Sequence, residues 1–531
     1  SLWFLDKLDA RAGVAYNEVH AFSLKGKLDL GALERAVNRL VERHESLRTR
    51  FEDKNGTPFQ VISPMEVSGF QFGFEDVSGW SAAALERRVL ELRHAPFDLT
   101  KGPLFRTHLL SAGGEEHTLV FGGHHTVRDG WSDTLLLKEL SSLYSEETGG
   151  AAADLSDLPV QYADYAVWQR KVLSGDRLEE EAAWWKQDLS DAPEAITLPF
   201  DRPRPEVMDY SGGSVDLTIP KAVTDRLKRL AQKTGLTLFM VLETAFATLL
   251  SRLGAGEDVV IGAAVAGRPR PELEGLCGYF VNTLALRNKV DAERSFEEQL
   301  SETGQRVLEA LAHENVPFEA VVEAVSPARS LRHVPVCQVM LVLQNTPDRD
   351  LWLRFGDCAV SAFGERDGDH AKFELSLNLA EIEGSLSGHL SYSAQLFDRQ
   401  TAVRIGAMFV LLVKGISEAP QTRLCDVVLL DKAERELVLH GFNNTAVDYP
   451  LDQTLIDRFA EQVLAHPGAL AVIDGDRELS YGVLDAASNR LARYLIAQGV
   501  GPECVVGVCL ERSAELIIAL LAIWKAGGAY L

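Results

Sequence analysis

The sequence predicts a mixed α/β protein, and three observations carry that prediction. Thr118-Leu119-Val120-Phe121 is a short apolar run that reads as a buried strand, and Leu135, Leu136, Leu140 and Leu143 follow it on helical spacing. The second half repeats the alternation. There Ser214-Val215-Asp216-Leu217-Thr218-Ile219 reads as a strand, residues from about Thr237 to Leu253 as a helix, and Val259-Val260-Ile261 as a further strand. Finally, 531 residues, 46 % of them hydrophobic, supply two or three domains with a core each.

The elements follow in order along the chain. Asp29 precedes a helix with Leu33, Val37, Leu40 and Val41 on one face, ending near Arg43-His44-Glu45-Ser46-Leu47-Arg48-Thr49-Arg50-Phe51, and a helix-then-strand unit follows. Gly149-Gly150-Ala151-Ala152-Ala153-Asp154 is small and polar and marks a surface loop between two halves of the first large unit. Between Leu429 and Asp452 the pattern turns short and polar, with Phe442-Asn443-Asn444-Thr445 and Tyr449-Pro450, as in an interdomain linker. A new domain starts near Thr454.

Composition removes several function classes. The formal net charge of -24 argues against nucleic acid or an anionic membrane as the main partner, because both demand clustered Lys and Arg. Cys277, Cys337, Cys358, Cys425, Cys504 and Cys509 are scattered without a CxxC pair, which fits reduced thiols in a cytosolic setting. No continuous apolar run reaches the roughly 18 residues of a membrane span, and the amino terminus lacks the layout of a signal peptide. The chain begins at Ser1 without Met and ends at Leu531 in what reads as mid-domain, the pattern of a piece of something larger.

The chemistry concentrates at His124-His125-Thr126-Val127-Arg128-Asp129-Gly130, a strand-to-helix turn with Ser132 as the expected helix cap. Neutral imidazole is the usual general base near neutral pH, Asp129 can hold the geometry, and Gly130 permits close approach. A His-His pair beside an acid could instead ligate zinc, but no third protein ligand of suitable spacing accompanies it. A pair of satisfied core histidines is the other plain reading.

The flanking sequence decides among these. In order along the chain stand Leu2-Trp3-Phe4-Leu5, the Arg43 to Phe51 run, the HHxxxDG turn and Tyr162-Ala163-Asp164-Tyr165-Ala166-Val167-Trp168-Gln169-Arg170. Ile261-Gly262, Gly278-Tyr279-Phe280-Val281-Asn282-Thr283-Leu284 and His313-Glu314-Asn315-Val316-Pro317-Phe318 come next, and Arg329 through His333, Pro335 and Gln338 to Gln344-Asn345 close the series. The series resembles the condensation domain of nonribosomal peptide synthetases. The tail, with Leu479-Ser480-Tyr481-Gly482-Val483-Leu484 and Leu521-Ala522-Ile523-Trp524-Lys525-Ala526-Gly527-Gly528-Ala529-Tyr530, resembles the first two adenylation motifs. It stops before that family's glycine-rich phosphate loop, so by this resemblance it neither binds ATP productively nor activates an amino acid.

The resemblance implies an α/β fold of two chloramphenicol-acetyltransferase-like lobes in a V-shaped pseudo-dimer, with a tunnel between them and the HHxxxDG turn near its middle. It implies a first lobe over residues 1–165, a second over 166–428, a linker over 429–452 and an incomplete adenylation domain over 453–531. Upstream and downstream carrier proteins would deliver acyl groups on phosphopantetheine, with no intrinsically bound cofactor and no metal. The acceptor's α-amine would attack the donor thioester, from which an L-configured or achiral donor residue is expected. Localisation would be cytoplasmic, in bacterial secondary metabolism, with neither nucleic acid nor membrane as partner. An epimerisation domain shares the fold and motif, and a non-catalytic docking platform or a free-standing coenzyme A acyltransferase are the other classes. Cyclisation domains are disfavoured because they replace the histidines with an acid.

By the same resemblance His125 contacts the attacking amine, either as general base or as a positioning group. A model α-amine has a pKa of about 8, so a strong base is not required. His124 reads as an orienting residue and Asp129 as a buried ion-pair partner, with Arg48 its expected arginine. Backbone N–H groups near Gly130 are candidates for the oxyanion. Trp131 packs, Ser132 caps, and Asn282 and Gln344 are polar candidates in or near the tunnel, each also able simply to satisfy backbone groups. Arg128 departs from the family's usual small residue. It points to solvent at a mouth, contacts an acceptor or pantetheine group, or gates the acceptor path.

Overall fold

The structure is a computed structural model that describes residues 2–3, 7, 10–325, 330–344, 354–364 and 370–531. Of the motif residues quoted above, Phe4, Leu5, Arg329 and Asn345 lie outside the described residues.

The first half supplies strands β1 (Asn17–Lys25), β2 (Thr49–Lys54), β3 (Thr57–Ile62), β4 (Gly73–Asp76), β5 (Phe105–Gly113) and β6 (Glu116–His124). The apolar run expected to be a strand lies in β6, which is buried from Thr118 to its end because it sits between β1 and β5. The helix Leu30–Arg43 is capped by Asp29, whose side chain accepts from the Ala32 N–H. It buries Leu33, Val37, Leu40 and Val41 beside the helix Gly130–Glu147 on one face of the sheet. The helix Ala82–His94 covers the other face, where Val89 and Leu92 meet Val19, Ala21, Leu110 and Val120.

The second half supplies β7 (Gly212–Ile219), β8 (Asp258–Val265), β9 (Asn282–Lys289), β10 (Val339–Gln344), β11 (Arg354–Phe355), β12 (Cys358–Ala362), β13 (Leu375–Ile382) and β14 (Ser385–Ser393). Its sheet runs β7-β14-β13-β10-β8-β9, with β13, β10 and β8 parallel and the remaining pairs antiparallel. The helix expected over Thr237 to Leu253 is Leu238–Leu250, capped by Thr237 and buried without a break from Met240. It ends early because residues Ser251–Ala255 relax into a wider turn in which Gly254 adopts φ 108°. Leu238–Ala255 and Arg399–Glu418 are long and apolar enough to cross a membrane, yet both put their apolar side chains into this lobe's core.

The lobes are not consecutive stretches of chain. β12 leaves the second half and pairs antiparallel with β1, Phe22 opposite Ala362, so the first sheet runs β11-β12-β1-β6-β5-β4. The boundary expected between residues 165 and 166 falls inside the helix Tyr162–Val172, which a capping box of Gln161 and Asp164 starts just before it.

A second compact unit begins at Ala433. The segment expected as a linker opens with the short helix Lys432–Glu436, and residues 442–452 are exposed. Thr454 and Asp457 then form a capping box for the helix Leu455–Ala465. With Tyr481–Ala497 and Ala514–Lys525 it encloses a small core around Leu479, Leu484, Ala514 and Leu521.

Candidate active site

The two histidines sit where β6 ends, and the helix Gly130–Glu147 begins five residues later. Asp129, in extended conformation, is the actual cap: its Oδ1 accepts from the Ser132 N–H at 2.8 Å. Ser132, expected to cap, is instead inside the first turn. Its hydroxyl donates to Asp129 Oδ1 at 2.7 Å and accepts from the Gly278 N–H and Arg268 Nη2, both at 3.1 Å.

Asp129 is saturated. Oδ2 accepts from the Phe280 N–H at 2.9 Å and the Val281 N–H at 3.3 Å, and Arg268 Nη2 stands 3.2 Å from Oδ1. Both side chains of this pair are only 2 % exposed. Arg268 also donates to the carbonyls of Leu273 and Leu276 and lies over the Phe280 ring at 4.0 Å. The expected partner, Arg48, is elsewhere: it donates to the carbonyls of Ser63 and Glu42 and faces Glu45, tying down the turn before β2. Arg268 reaches Asp129 because Gly267, at φ 63°, turns the chain against the Phe280 carbonyl, where a Cβ would stand 1.9 Å from the oxygen.

Arg128 is fully buried, so it does not point to solvent. Its guanidinium pairs with Asp133 and donates to the Glu18 carbonyl. Gly122 makes room for it, since a Cβ there would lie 2.6 Å from Nη1. Asn282 spends its side chain on the carbonyls of Glu314 and Val316 and the N–H of Phe318, so it staples that loop. Trp131 donates to the Glu274 carbonyl at 2.9 Å, bridging the lobes. An added Cβ at Gly130 would meet Gln344 Nε2 at 3.8 Å, an ordinary contact, so Gly130 stands beside the exposed end of β10.

His124 is buried, with Nδ1 3.0 Å from Thr126 Oγ1 and its ring edge-on to Phe97. Burial first, and the neighbouring His125 second, push it down to about 4, which keeps it neutral. His125 is oriented differently. Nδ1 donates to the Arg128 carbonyl at 2.7 Å, an acceptor-only partner that fixes where one ring hydrogen sits. Nε2 faces Glu18 Oε1 at 3.2 Å, and the ring, 14 % exposed, packs edge-on against Tyr279 at 5.1 Å. Glu18 also takes Lys372 Nζ at 2.9 Å. Burial raises the Glu18 carboxyl, but His125, Lys372 and Arg128 together outweigh that and hold it well below the usual carboxylate range. Tyr16, whose ring lies 4.8 Å from Lys372 Nζ, is pushed up to about 12 by burial and then by Glu319, so it is a neutral phenol. Among the described residues no group of three His, Cys, Asp or Glu is arranged to hold a metal ion.

This two-lobed arrangement around an HHxxxDG turn has known counterparts. A family model for the condensation domain matches residues 1–439. The chain belongs to the condensation-domain family. A second model, for AMP-binding enzymes, matches residues 459–531, so an adenylation-type segment follows this condensation domain. One of the linear gramicidin synthase proteins of Brevibacillus parabrevis is 39 % identical over 534 residues, covering all of this chain and 7 % of the relative. Tyrocidine synthase 3 of the same organism is 36 % identical over 531 residues, covering all of this chain and 8 % of the relative. The chain thus spans a small fraction of the curated relatives it matches. A four-domain nonribosomal peptide synthetase solved in holo form with AMP and glycine superposes with a TM-score of 0.87 at 26 % identity, over all of this chain and 40 % of that one. The X-domain from teicoplanin biosynthesis gives 0.71 at 28 %, over 78 % of this chain and 95 % of that one. The condensation domain therefore has the two acetyltransferase-like lobes that the motifs implied.

Sequence reasoning missed Arg268, Glu18 and Lys372. A Gly-Arg pair just after a buried strand was a usable signal for the first. An acid opening β1 and a lysine before β13 carry none, because only the fold brings them to His125.

Proposed function

We propose that this condensation domain forms peptide bonds. It transfers a donor acyl or peptidyl group from an upstream carrier-protein thioester to the α-amine of an aminoacyl thioester on a downstream carrier. The observation that supports this reading is the fixed, partly open imidazole of His125 at the seam between the lobes, locked through Nδ1 on Arg128. The amine nitrogen bonds to the donor carbonyl carbon, the C–S bond breaks, and the proton lost from nitrogen ends on the departing thiolate. Backbone N–H groups at the start of the helix Gly130–Glu147 and the Gln344 amide beside Gly130 would donate to the oxyanion. His125 works mainly by positioning, since both of its nitrogens already face acceptors. The phosphopantetheine arms belong to the carriers, and the reaction takes place in the cytoplasm, where the free cysteines stay reduced. The AMP-binding segment directly downstream supports a condensing module over an epimerisation domain.

The test is mass detection of the extended peptidyl thioester on the downstream carrier, comparing the native parent protein with His125→Ala. We expect product from the native form and a rate lower by up to about 10²-fold from the variant. No product from the native form overturns the proposal, and equal rates remove His125 from it. A second reading is favoured by the likeness to the X-domain, which has also been solved as a complex with OxyB: the domain would only recruit partners. Absence of product together with stable binding of a loaded carrier is its signature.

A further inference from the structure

The polar cluster around His125 contains more than the amide-forming reading uses. Glu18 opens β1 in the first lobe, Lys372 precedes β13 in the second, and they meet at 2.9 Å, 3.2 Å from the His125 ring by way of the same carboxylate oxygen. Neither is sealed: their side chains are 25 % and 26 % exposed. The Lys372 ammonium is held by two features, a carboxylate and the face of Tyr16. These are the features that recognise any compact alkylammonium. An acceptor's α-ammonium is the same chemical group, and it must come within hydrogen-bond reach of His125 to react.

We propose that Glu18 and the Tyr16 face form the subsite for the acceptor's α-ammonium, and that Lys372 is its resting occupant, displaced when the acceptor arrives. The proposal rests on the amide-forming reading and names the recognition element within it. It explains why an ionised carboxylate sits beside the turn: with its charge held well below the usual carboxylate range, Glu18 is a poor base and a good counter-ion. Glu18 would hold the incoming nitrogen beside His125 until its proton is shed. Lys372 would keep the carboxylate paired in the empty site.

Two probes differing by one amine test this without turnover: the glycyl amide of aminopantetheine and its acetyl counterpart, measured by calorimetry on the whole chain. The native chain should bind the glycyl probe about tenfold tighter than the acetyl one. Glu18→Gln should erase that preference and leave acetyl binding unchanged. Lys372→Met, which removes the competing ammonium, should tighten the glycyl probe. A plain structural ion pair predicts the opposite sign for Lys372→Met. Equal affinities or no glycyl binding in the native chain, a preference that survives Glu18→Gln, or weaker glycyl binding in Lys372→Met overturns the proposal. A retained preference in a protein that makes no peptidyl thioester defeats the amide-forming reading alone.

Discussion

The HHxxxDG turn has two sides that are built in opposite ways. On one, Asp129 is buried, accepts from three backbone N–H groups, and pairs with Arg268 from the other lobe. On the other, His125, Glu18 and Lys372 are partly open, and both ion contacts of Glu18 fall on one oxygen. A saturated carboxylate has no capacity left for a substrate and serves as a clamp between lobes. A half-open carboxylate can exchange partners. The same motif thus joins a saturated acid and a partly open ring, and loss of activity after changing either does not have the same meaning.

Substitutions can break that contrast, and the largest effect belongs to the clamp. Arg268→Ala strands Asp129 without its counter-ion and should cost about 3–5 kcal/mol, read as a lowered denaturation midpoint. Arg128→Gly should fall at the lower end of that range, because His20 still faces Asp133 at 3.2 Å. If instead it leaves stability intact and broadens acceptor range, the buried position assigned to Arg128 is wrong.

Proton linkage sharpens the comparison further, since one buried group in each lobe carries the opposite sign. His124, pushed down to about 4 by burial and then His125, is neutral when folded, so the unfolded chain binds more protons between about 6.5 and 4. Its contribution is present above that window and is lost as pH falls through it. Glu243, buried in the second lobe beside Asn288, is raised to about 8 by burial, so the folded chain binds the extra proton. That contribution is complete below the usual carboxylate pKa and is lost as pH rises through 8. Denaturation followed across pH should therefore show His124→Gln flattening the acid limb and Glu243→Gln flattening the alkaline one, each by about 1–3 kcal/mol. The smallest effect is Arg48→Ala, about 1 kcal/mol for two lost carbonyl contacts, with no change at Asp129. A loss as large as that of Arg268→Ala would restore Arg48 as the clamp's partner.

Much of this was legible in the sequence for identifiable reasons. Asp29 and Thr237 cap helices that the pattern started at those residues, because capping is a local exchange between one side chain and the next turn. The buried run at 118–121 read as a strand because a central strand needs apolar side chains on both faces. Ser132 misled because Asp129, three residues earlier, is an equally good cap and has the extended backbone that the position requires. Arg48 misled for a different reason. Which arginine meets a buried acid depends on how the two lobes come together, here joining residues 139 positions apart, and no local period encodes that. Arg128 stood out as a charge among site residues, but its direction was set by space at Gly122, on a neighbouring strand position.

The crossing of β12 onto β1 also governs the order in which this chain can be completed during synthesis. Until residue 362 has left the ribosome, the backbone N–H and C=O groups along the outer side of β1 have no strand to bond, and the nascent first sheet presents a bare rim. A ribosome-bound intermediate carrying only the first sheet's own strands is therefore the species most exposed to pairing with a neighbouring nascent chain.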